Sequence, residues 1–361
     1  MPSEEPLRPY NRRPKSLAKL KPDNKHNKVM VFNHYLGIDI SKKTLDAALL
    51  LREGVVEGQT KVSNDKKGFK DLLSWLKKLK ISPTEVLVCA EHTGIYGYDL
   101  QVWLDEKAIK YAMVPALEIK KSLGIRRGKN DVVDALRIAE YAYIRRESIV
   151  LTHRPSETIF QLKALITERK LYVRSRAGLL SRKDAMEKYE SREGRKRRED
   201  AIKKFSSYIE SLEGQIEDVI SNDPDVLRNY QLVRSVKGIG LINAVNTIVY
   251  TNNFTSFQTA RQYACYIGIA PFEHSSGTSI KGKTMVSSLG NHQLKCELTM
   301  AARNAVCTDP WLKGYYKRKM AEKGNMRGAY GIVLNAVKFK LVVRMFAVIK
   351  SGTPYKTLTY C

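Results

Sequence analysis

Three short apolar runs between residues 35 and 91 constrain the fold of this chain more than any other feature of the sequence. The runs "YLGIDI", "LDAALLL" and "EVLVCAE" have strand length and are separated by Gly, Asp, Asn and Pro. A helical pattern, "GFKDLLSWLKKLK", lies between the second and the third, and another, "KNDVVDALRIAEYAYIRR", follows at residues 129–146. Strands alternating with helices predict an α/β domain over residues 35–152.

Four acidic residues of this domain form the main candidate site. Asp39 lies within the first apolar run, and Glu91 ends the third. Asp131 and Asp134 are three residues apart on the last helix, which places both on one face. A carboxylate in a buried strand is costly unless it is paired or binds a metal. Together the four acids predict an oxygen-rich site for one or two Mg²⁺ or Mn²⁺ ions.

Each of these acids also has an ordinary structural interpretation. Asp39 fits the start of a turn, Glu91 a helix cap, and Asp131 the N-cap of its own helix. The order strand acid, strand acid, helix pair favours the metal site. The remaining acids of the domain fit surface faces and suggest no function, for example Asp46, Asp71 and Glu140.

Residues 153–225 are predicted to form an antiparallel coiled-coil hairpin. Apolar residues recur there at alternating three and four spacings in two stretches, which is the pattern of a helical seam: Ile159, Leu162, Ile166 and Val173, then Phe205, Ile209, Leu212, Ile216 and Val219. The charged segment 181–204 between them is expected to form the tip. Crowded cations there gain nothing structurally and are predicted to bind nucleic acid, namely Arg195, Lys196, Arg197 and Arg198.

A second compact and mainly helical region is predicted over residues 226–361. It opens with "SVKGIGLINAVNTI", in which Gly238 and Gly240 resemble the turn of a helix-hairpin-helix element that lets backbone N–H groups approach a phosphate. An ordinary tight turn is the alternative. Further on lies the serine-rich loop "GIAPFEHSSGTSIKG", which contains Lys281, another candidate contact to nucleic acid.

The charge of the chain indicates its partner. The 63 Lys and Arg against 37 Asp and Glu give a formal net charge of +26, which favours binding to a polyanion such as DNA or RNA. Residues 1–34 carry five prolines and eight Lys or Arg against three acids, so we expect a flexible basic arm. Elsewhere the basic residues share segments with apolar periodicity, unlike the low-complexity arms of ribosomal or chromatin-type proteins.

Cysteine usage and hydropathy indicate the compartment. The five cysteines include no Cys-x-x-Cys pair, so neither a zinc ribbon nor a disulfide framework is supported. No apolar run approaches the roughly 20 residues that cross a bilayer, and the first residues do not resemble a signal peptide. We expect no membrane association and a cytoplasmic protein, associated with the nucleoid when bound to DNA.

Five motifs together resemble one known family. "YLGIDISKKTLD", "CAEHTGIY", "KNDVVDA", "VKGIG" and "GIAPFEHSSGTSIKG" are similar, in the same order, to the motifs of the DEDD transposases of insertion sequences, which include Piv-type DNA invertases. The resemblance covers roughly residues 34–355. It implies an RNase H-like domain of the RuvC type, in which Asp39, Glu91, Asp131 and Asp134 match the metal-binding tetrad.

The resemblance also implies a nucleophile and partners. Ser276, followed by Gly277, matches the family's catalytic serine, which attacks DNA to form a covalent phosphoserine intermediate. The family assembles its site from the acidic domain of one subunit and the serine domain of another, so a dimer or a tetramer is expected. It also uses a structured guide RNA, encoded by the element, that pairs with donor and target DNA.

Two features depart from the family pattern. The basic arm has no counterpart in it, and Ser276 has neighbouring hydroxyls in Ser275 and Ser279, so that only the Ser-Gly step selects Ser276. No His-Asp pair stands beside the serine to activate it, and loop histidines such as His274 and His292 are more typical of a surface. Metal held by the tetrad is the better activator.

Two other functions fit parts of the sequence. A metal-only nuclease or junction resolvase of the same fold would use water as the nucleophile and leave Ser276 an ordinary loop residue. A non-enzymatic DNA- or RNA-binding protein would account for the charge. It would leave the acids unexplained, because clustered carboxylates oppose phosphate binding unless a metal intervenes.

Overall fold

A computed structural model describes residues 32–92, 94–122, 131–186, 189–272, 275–276, 280–281 and 285–357. For residues 131–132, 183–186, 275–276 and 280–281 it describes the backbone only. The predicted basic arm therefore lies outside the described residues, apart from its last three positions. The chain divides into two units, the first ending at Arg154 and the second beginning at Pro155.

The first unit is built on one five-stranded mixed sheet. Its strands are β1 (His34–Ile40), β2 (Thr44–Leu51), β3 (Val56–Ser63), β4 (Val86–Glu91) and β5 (Lys110–Val114), in the order β3-β2-β1-β4-β5. β1 to β3 form an antiparallel meander, whereas β4 is parallel to both β1 and β5. This arrangement confirms the predicted α/β unit and agrees with the RNase H-like sheet that the resemblance implies.

Among the described residues, four α-helices cover this sheet: α1 (Lys66–Lys78), α2 (Tyr98–Glu106), α3 (Ala116–Ser122) and α4 (Asp131–Arg145). The α1 and α4 helices confirm the two helical patterns of the sequence. Asp65 starts α1 by accepting hydrogen bonds from the backbone N–H groups of Lys67 and Gly68. α1 and α2 bury apolar side chains on one face of the sheet, and α3 and α4 do so on the other.

Two helices of 30 residues begin the second unit, α5 (Glu157–Met186) and α6 (Arg192–Ser221). They run antiparallel, since Arg169 pairs with Glu213 while Arg176, further along α5, bonds Ser206. The helices continue through most of the segment predicted as a tip, so the connection is shorter than the sequence suggested. A helical hairpin is therefore present, and its supercoiled seam stays a prediction.

The rest of the second unit is a helical core with small strand pairs. The helices are α7 (Pro224–Arg234), α8 (Leu241–Tyr250), α9 (Ala260–Ile267), α10 (His292–Thr308), α11 (Pro310–Lys323) and α12 (Ala329–Ser351), and the strands are β6 (Pro271–Phe272), β7 (Ser275–Ser276), β8 (Ile280–Lys281) and β9 (Met285–Val286). α12 forms the centre of the core, with Val337, Leu341, Val342 and Met345 fully buried. No helix within the described ranges is long and apolar enough to cross a membrane.

Candidate active site and nucleic-acid interface

Asp39 and Glu91 lie side by side at the carboxyl ends of two neighbouring parallel strands. The register of β1 and β4 pairs Ile38 with Ala90, and each acid is the next residue of its strand. Paired positions of neighbouring strands project to the same face. Because Ile38 and Ala90 belong to the core under α1 and α2, both acids project to the opposite face, which α4 covers.

The packing of α4 brings its first turn to the same end of the sheet. The ring of Tyr35, early in β1, contacts the ring of Tyr143, late in α4, with 5.6 Å between centroids. Two residues along β1, Gly37 lies directly against the backbone of Ala135 and Ala139. α4 therefore runs antiparallel to β1, and its N-terminal turn lies towards Asp39.

The helical acids are both in that turn. Asp131 is the first residue of α4, and its side chain is outside the described residues. Asp134 is partly exposed, and its Oδ1 accepts a 2.9 Å hydrogen bond from Nη1 of Arg137. The fold thus brings Asp39, Glu91 and the first turn of α4 to one end of the sheet, and the joint site stays a prediction.

The donor set of this region fits a hard divalent cation. Carboxylate oxygens are the ligands that Mg²⁺ and Mn²⁺ prefer. Among the side chains that the structure describes, no three His, Cys, Asp or Glu residues lie close enough together to form a metal site, and the side chain of Asp131 is outside that set.

The sequence predicted that Asp46 lies on a surface face, and the structure shows instead that it is buried. It is 5% exposed and lies directly opposite Asp39 in the antiparallel register of β1 and β2. Its Oδ2 accepts a 2.9 Å hydrogen bond from Nζ of Lys61 on β3. The apolar residues on both sides of Asp46 concealed its position in the sequence. Strict alternation along "TLDAALLL" puts it on the same face as Leu50, and that was the available signal.

The predicted nucleophile lies in a segment with two short antiparallel strand pairs, β6 with β9 and β7 with β8, which we call the ribbon. In the register of the ribbon, Pro271 pairs with Val286, Ser275 with Lys281, and Ser276 with Ile280. Ser276 is thus the last described residue of β7, and residues 277–279, which include Ser279, lie outside the described residues, as does His274. For Ser275, Ser276 and Lys281 only the backbone position is known.

Close packing and hydrogen bonds hold the segments that lead into and out of this ribbon. Gly268, at a φ of +79°, packs against Gly290 so closely that a Cβ on either residue would come within 3.0 Å of the other's backbone. The backbone N–H of Asn291 donates to the carbonyl of Tyr266 at 2.9 Å. On α12, Nδ2 of Asn335 donates to the carbonyl of Ile269 at 2.8 Å. Sequence reasoning missed Asn335, because nothing local marks a helical amide that supports a distant loop.

The two glycines between α7 and α8 have different roles. Gly238, at a φ of +92°, packs against α10, where a Cβ would come within 2.5 Å of the Cβ of Ala305. Packing therefore accounts for Gly238, and phosphate binding is not needed to explain it. Gly240 is the N-cap of α8 and provides no side-chain cap, and a Cβ there would meet only the Arg234 guanidinium at 3.8 Å. The first turn of α8 therefore receives no side-chain cap from Gly240, and anion binding there stays a prediction.

The basic cluster on α6 separates into exposed and buried members. Arg195, Lys196 and Arg197 are exposed. Arg198 is buried, and its guanidinium donates to both carboxylate oxygens of Glu190, at distances from 2.5 to 3.2 Å. This bonding holds the pKa of Glu190 below its usual value. The expectation that the crowded cations have no structural use is therefore wrong for Arg198, which binds Glu190 just before the start of α6.

Comparison with known proteins matches two families to this chain. A DEDD-type IS110 transposase family matches residues 36–186, and the family described as transposase IS116/IS110/IS902 matches residues 230–317. The pilin gene-inverting protein of Moraxella bovis is 29% identical over 325 residues, which cover 89% of this chain and 97% of that protein.

More distant similarities are partial. An uncharacterized 43.6 kDa protein of insertion element IS110 from Streptomyces coelicolor is 32% identical over 147 residues, covering 41% of this chain and 34% of that protein. Among solved structures, T. thermophilus RuvC in complex with a Holliday junction substrate aligns with 33% of this chain and 99% of its own, at 13% identity and a TM-score of 0.27.

Proposed function

This chain belongs to the IS110 family of transposases and is an enzyme of DNA recombination; from that premise we propose how it cleaves and rejoins DNA. Asp39, Glu91, Asp131 and Asp134 hold Mg²⁺ or Mn²⁺, and Ser276 is the nucleophile. Donor and target DNA are the substrates, and an RNA encoded by the element guides their choice. The working form is a dimer or a tetramer, located in the cytoplasm and at the nucleoid.

The observation that carries this proposal is the convergence of the acids. Asp39 and Glu91 end two adjacent parallel strands on the face that α4 covers, and the first turn of α4 supplies Asp131 and Asp134. A purely structural explanation of each acid would not require all four at one end of the sheet. A bound divalent cation would supply charge neutralisation at the phosphodiester and activation of the nucleophile.

In this proposal Ser276 forms a phosphoserine bond to DNA, and that bond can be exchanged for a new phosphodiester. Its hydroxyl oxygen forms a bond to phosphorus while the bond to the bridging oxygen of the DNA strand breaks, and the serine proton leaves with that oxygen. The energy of the phosphodiester is kept in the phosphoserine, so that a second DNA end can take its place. The close packing of Gly268 and Gly290 and the hydrogen bond from Asn335 support a fixed backbone position for Ser276.

Nucleic-acid binding is proposed for the exposed cations and the start of α8. Arg195, Lys196 and Arg197 are exposed whereas Arg198 is buried, Gly240 provides no side-chain cap at the start of α8, and Lys281 lies opposite Ser275. The helix-hairpin-helix character of α7 and α8 is part of the same proposal. We also propose that the chain has four functional parts, residues 1–34, 35–152, 153–225 and 226–361.

The charge cluster has a direct test. Replacing Arg195, Lys196 and Arg197 with Gln, while keeping Arg198, removes three exposed cations without breaking the ion pair to Glu190. The salt dependence of nucleic-acid binding should fall by up to about 0.9 in log–log slope for each lost phosphate contact. A control of equal charge change in the first unit should leave the slope nearer to wild type: Lys77, Lys78 and Lys80 to Gln. Equal salt dependence of binding in the two triple variants would show that the α6 cluster is a solvated surface with no specific contact to nucleic acid.

The serine mechanism is tested by its covalent intermediate. Protein incubated with labelled DNA that carries the element boundary, the matching RNA and Mg²⁺ should retain label in a denaturing gel. Ser276→Ala should lose the labelled band and recombination together, whereas Ser275→Ala should keep at least part of both. A band that persists in Ser276→Ala and vanishes in Ser275→Ala would move the assignment to Ser275.

The second candidate function, a metal-only nuclease of the same fold, gives a different result. Water would then be the nucleophile, so that wild-type protein would cleave DNA without any adduct and Ser276→Ala would remain active. Both functions require the metal, so Asp39→Ala, Glu91→Ala, Asp131→Ala and Asp134→Ala should each abolish cleavage but preserve nucleic-acid binding. Full activity in EDTA would exclude both mechanisms.

A further inference from the structure

Four charged residues form a row across the sheet of the first unit. The register pairs Asp39 with Asp46 and Asp46 with Lys61, and Glu91 lies beside Asp39 one residue beyond the last pair of β1 and β4. Directly opposite residues of neighbouring strands share a face. Glu91, Asp39, Asp46 and Lys61 therefore cross β4, β1, β2 and β3 in order, on the side that α4 covers.

Asp46 is an unusual residue at its position, because it lies directly opposite another aspartate, Asp39. Opposite residues of an antiparallel pair have Cβ atoms about 4.5 to 5.5 Å apart, and like charges there destabilise the sheet. The side chain of Asp46 is only 7% exposed, so water does little to screen it from Asp39. Lys61 compensates this charge through its 2.9 Å contact, with its own side chain 54% exposed.

The lysine is also close enough to matter for Asp39. Two strand spacings, about 10 Å, separate the backbone of Lys61 from that of Asp39. Extended lysine and aspartate side chains together span most of that distance. An ammonium on Asp39 would occupy the carboxylate oxygens that a divalent cation needs. Asp46 lies between the two residues and takes the ammonium at the outer part of the row.

We propose that Asp46 is a positioning residue: by binding Lys61 it keeps a competing ammonium away from the carboxylate of Asp39, and so preserves the divalent-cation site. The inference rests on the proposed metal-binding role of Asp39. Asp46 is not a ligand itself in this scheme. Removing the charge of Asp46 weakens metal binding, because Lys61 is released towards Asp39. Removing Lys61 as well restores the affinity for the metal.

The test measures Mn²⁺ binding to the full-length protein by isothermal titration calorimetry, without DNA or RNA. Asp46→Asn should weaken Mn²⁺ binding by about 10- to 100-fold, the usual effect of losing a residue that supports a metal ligand. Lys61→Met should bind Mn²⁺ at least as tightly as wild type, and the double variant should return close to wild-type affinity. Asp105→Asn, which breaks the exposed ion pair to Arg154 in the same unit, is the matched control and should leave the affinity unchanged.

The measured Mn²⁺ affinities distinguish a positioning role of Asp46 from a purely structural one. Wild-type affinity in Asp46→Asn, or a double variant as weak as Asp46→Asn, overturns the proposal and leaves Asp46 a purely structural residue. Should Asp46→Asn fail to fold, Lys61→Met still decides, because weaker Mn²⁺ binding in that variant would contradict a competing lysine. Asp39→Asn tests the proposed metal site independently of Asp46. If this variant binds Mn²⁺ like wild type, the proposed metal site itself is wrong.

Discussion

Gly37 gives the sharpest link between packing and the proposed site, and Gly37→Ala should damage both. An added Cβ would lie 2.2 Å from the carbonyl oxygen of Ala135 and 2.3 Å from the backbone nitrogen of Ala139. Non-bonded heavy atoms normally lie about 3.5 to 4.0 Å apart, so the backbone of α4 must retreat by about 1 Å. No side chain can rotate away to relieve this clash, because both atoms belong to the helix backbone.

The expected cost follows from the size of the clash. Overpacking of this kind costs about 1 to 3 kcal/mol, and alanine in a strand recovers about 0.5 to 1 kcal/mol relative to glycine. The midpoints of these two ranges leave a fall of about 1 kcal/mol in the free energy of unfolding, measured by urea denaturation. Because α4 carries Asp131 and Asp134, recombination should fall by about 100-fold, the usual penalty for a displacement of about 1 Å at a reacting centre.

A second glycine of the same sheet is the control. At Gly58 on β3, the nearest atom to an added Cβ is Cζ2 of Trp75, at 3.2 Å, which is a side-chain atom that can shift by a few tenths of an ångström. Gly58→Ala should therefore change stability by less than about 1 kcal/mol and leave recombination intact. Wild-type stability and activity in Gly37→Ala would refute the packing argument. Lost stability with full activity per folded molecule would show that α4 does not position the acids.

Three further predictions concern the second unit. Asp309 is fully buried, caps α11 and accepts from Arg344, so Asp309→Ala should cost about 3 to 5 kcal/mol in urea denaturation, and a loss under 1 kcal/mol would contradict this role. Gly214 on α6 has open space at its Cβ position, so Gly214→Ala should stabilise the protein by up to about 1 kcal/mol, measured the same way. Burial lowers the pKa of Lys338, so the charged lysine destabilises the fold below that pKa and the penalty disappears as pH rises towards 10.5. Lys338→Met should therefore raise the melting temperature at pH 7 by more than at pH 10, and an equal shift at both would exclude the charge as the cause.

The sequence alone determined the local features of this protein. Apolar periodicity located β1, β2, β4, α1 and α4 and both long helices of the hairpin, because the repeat of a helix or strand is written in consecutive residues. The position of Asp39 within one apolar run and of Glu91 at the end of another was visible for the same reason. The family motifs, read in order, predicted the transposase family that the comparisons confirm.

Only the tertiary structure decided which residues meet. The buried position of Asp46 beside Asp39 depends on the register of three strands, and Arg198 is structural because Glu190, eight residues away, folds back onto it. Gly238 matches a phosphate-binding turn in sequence, and its close packing against α10 is visible only in the structure. In each case the deciding neighbour comes from another part of the chain, and burial and pairing depend on that neighbour more than on the residue's own local sequence.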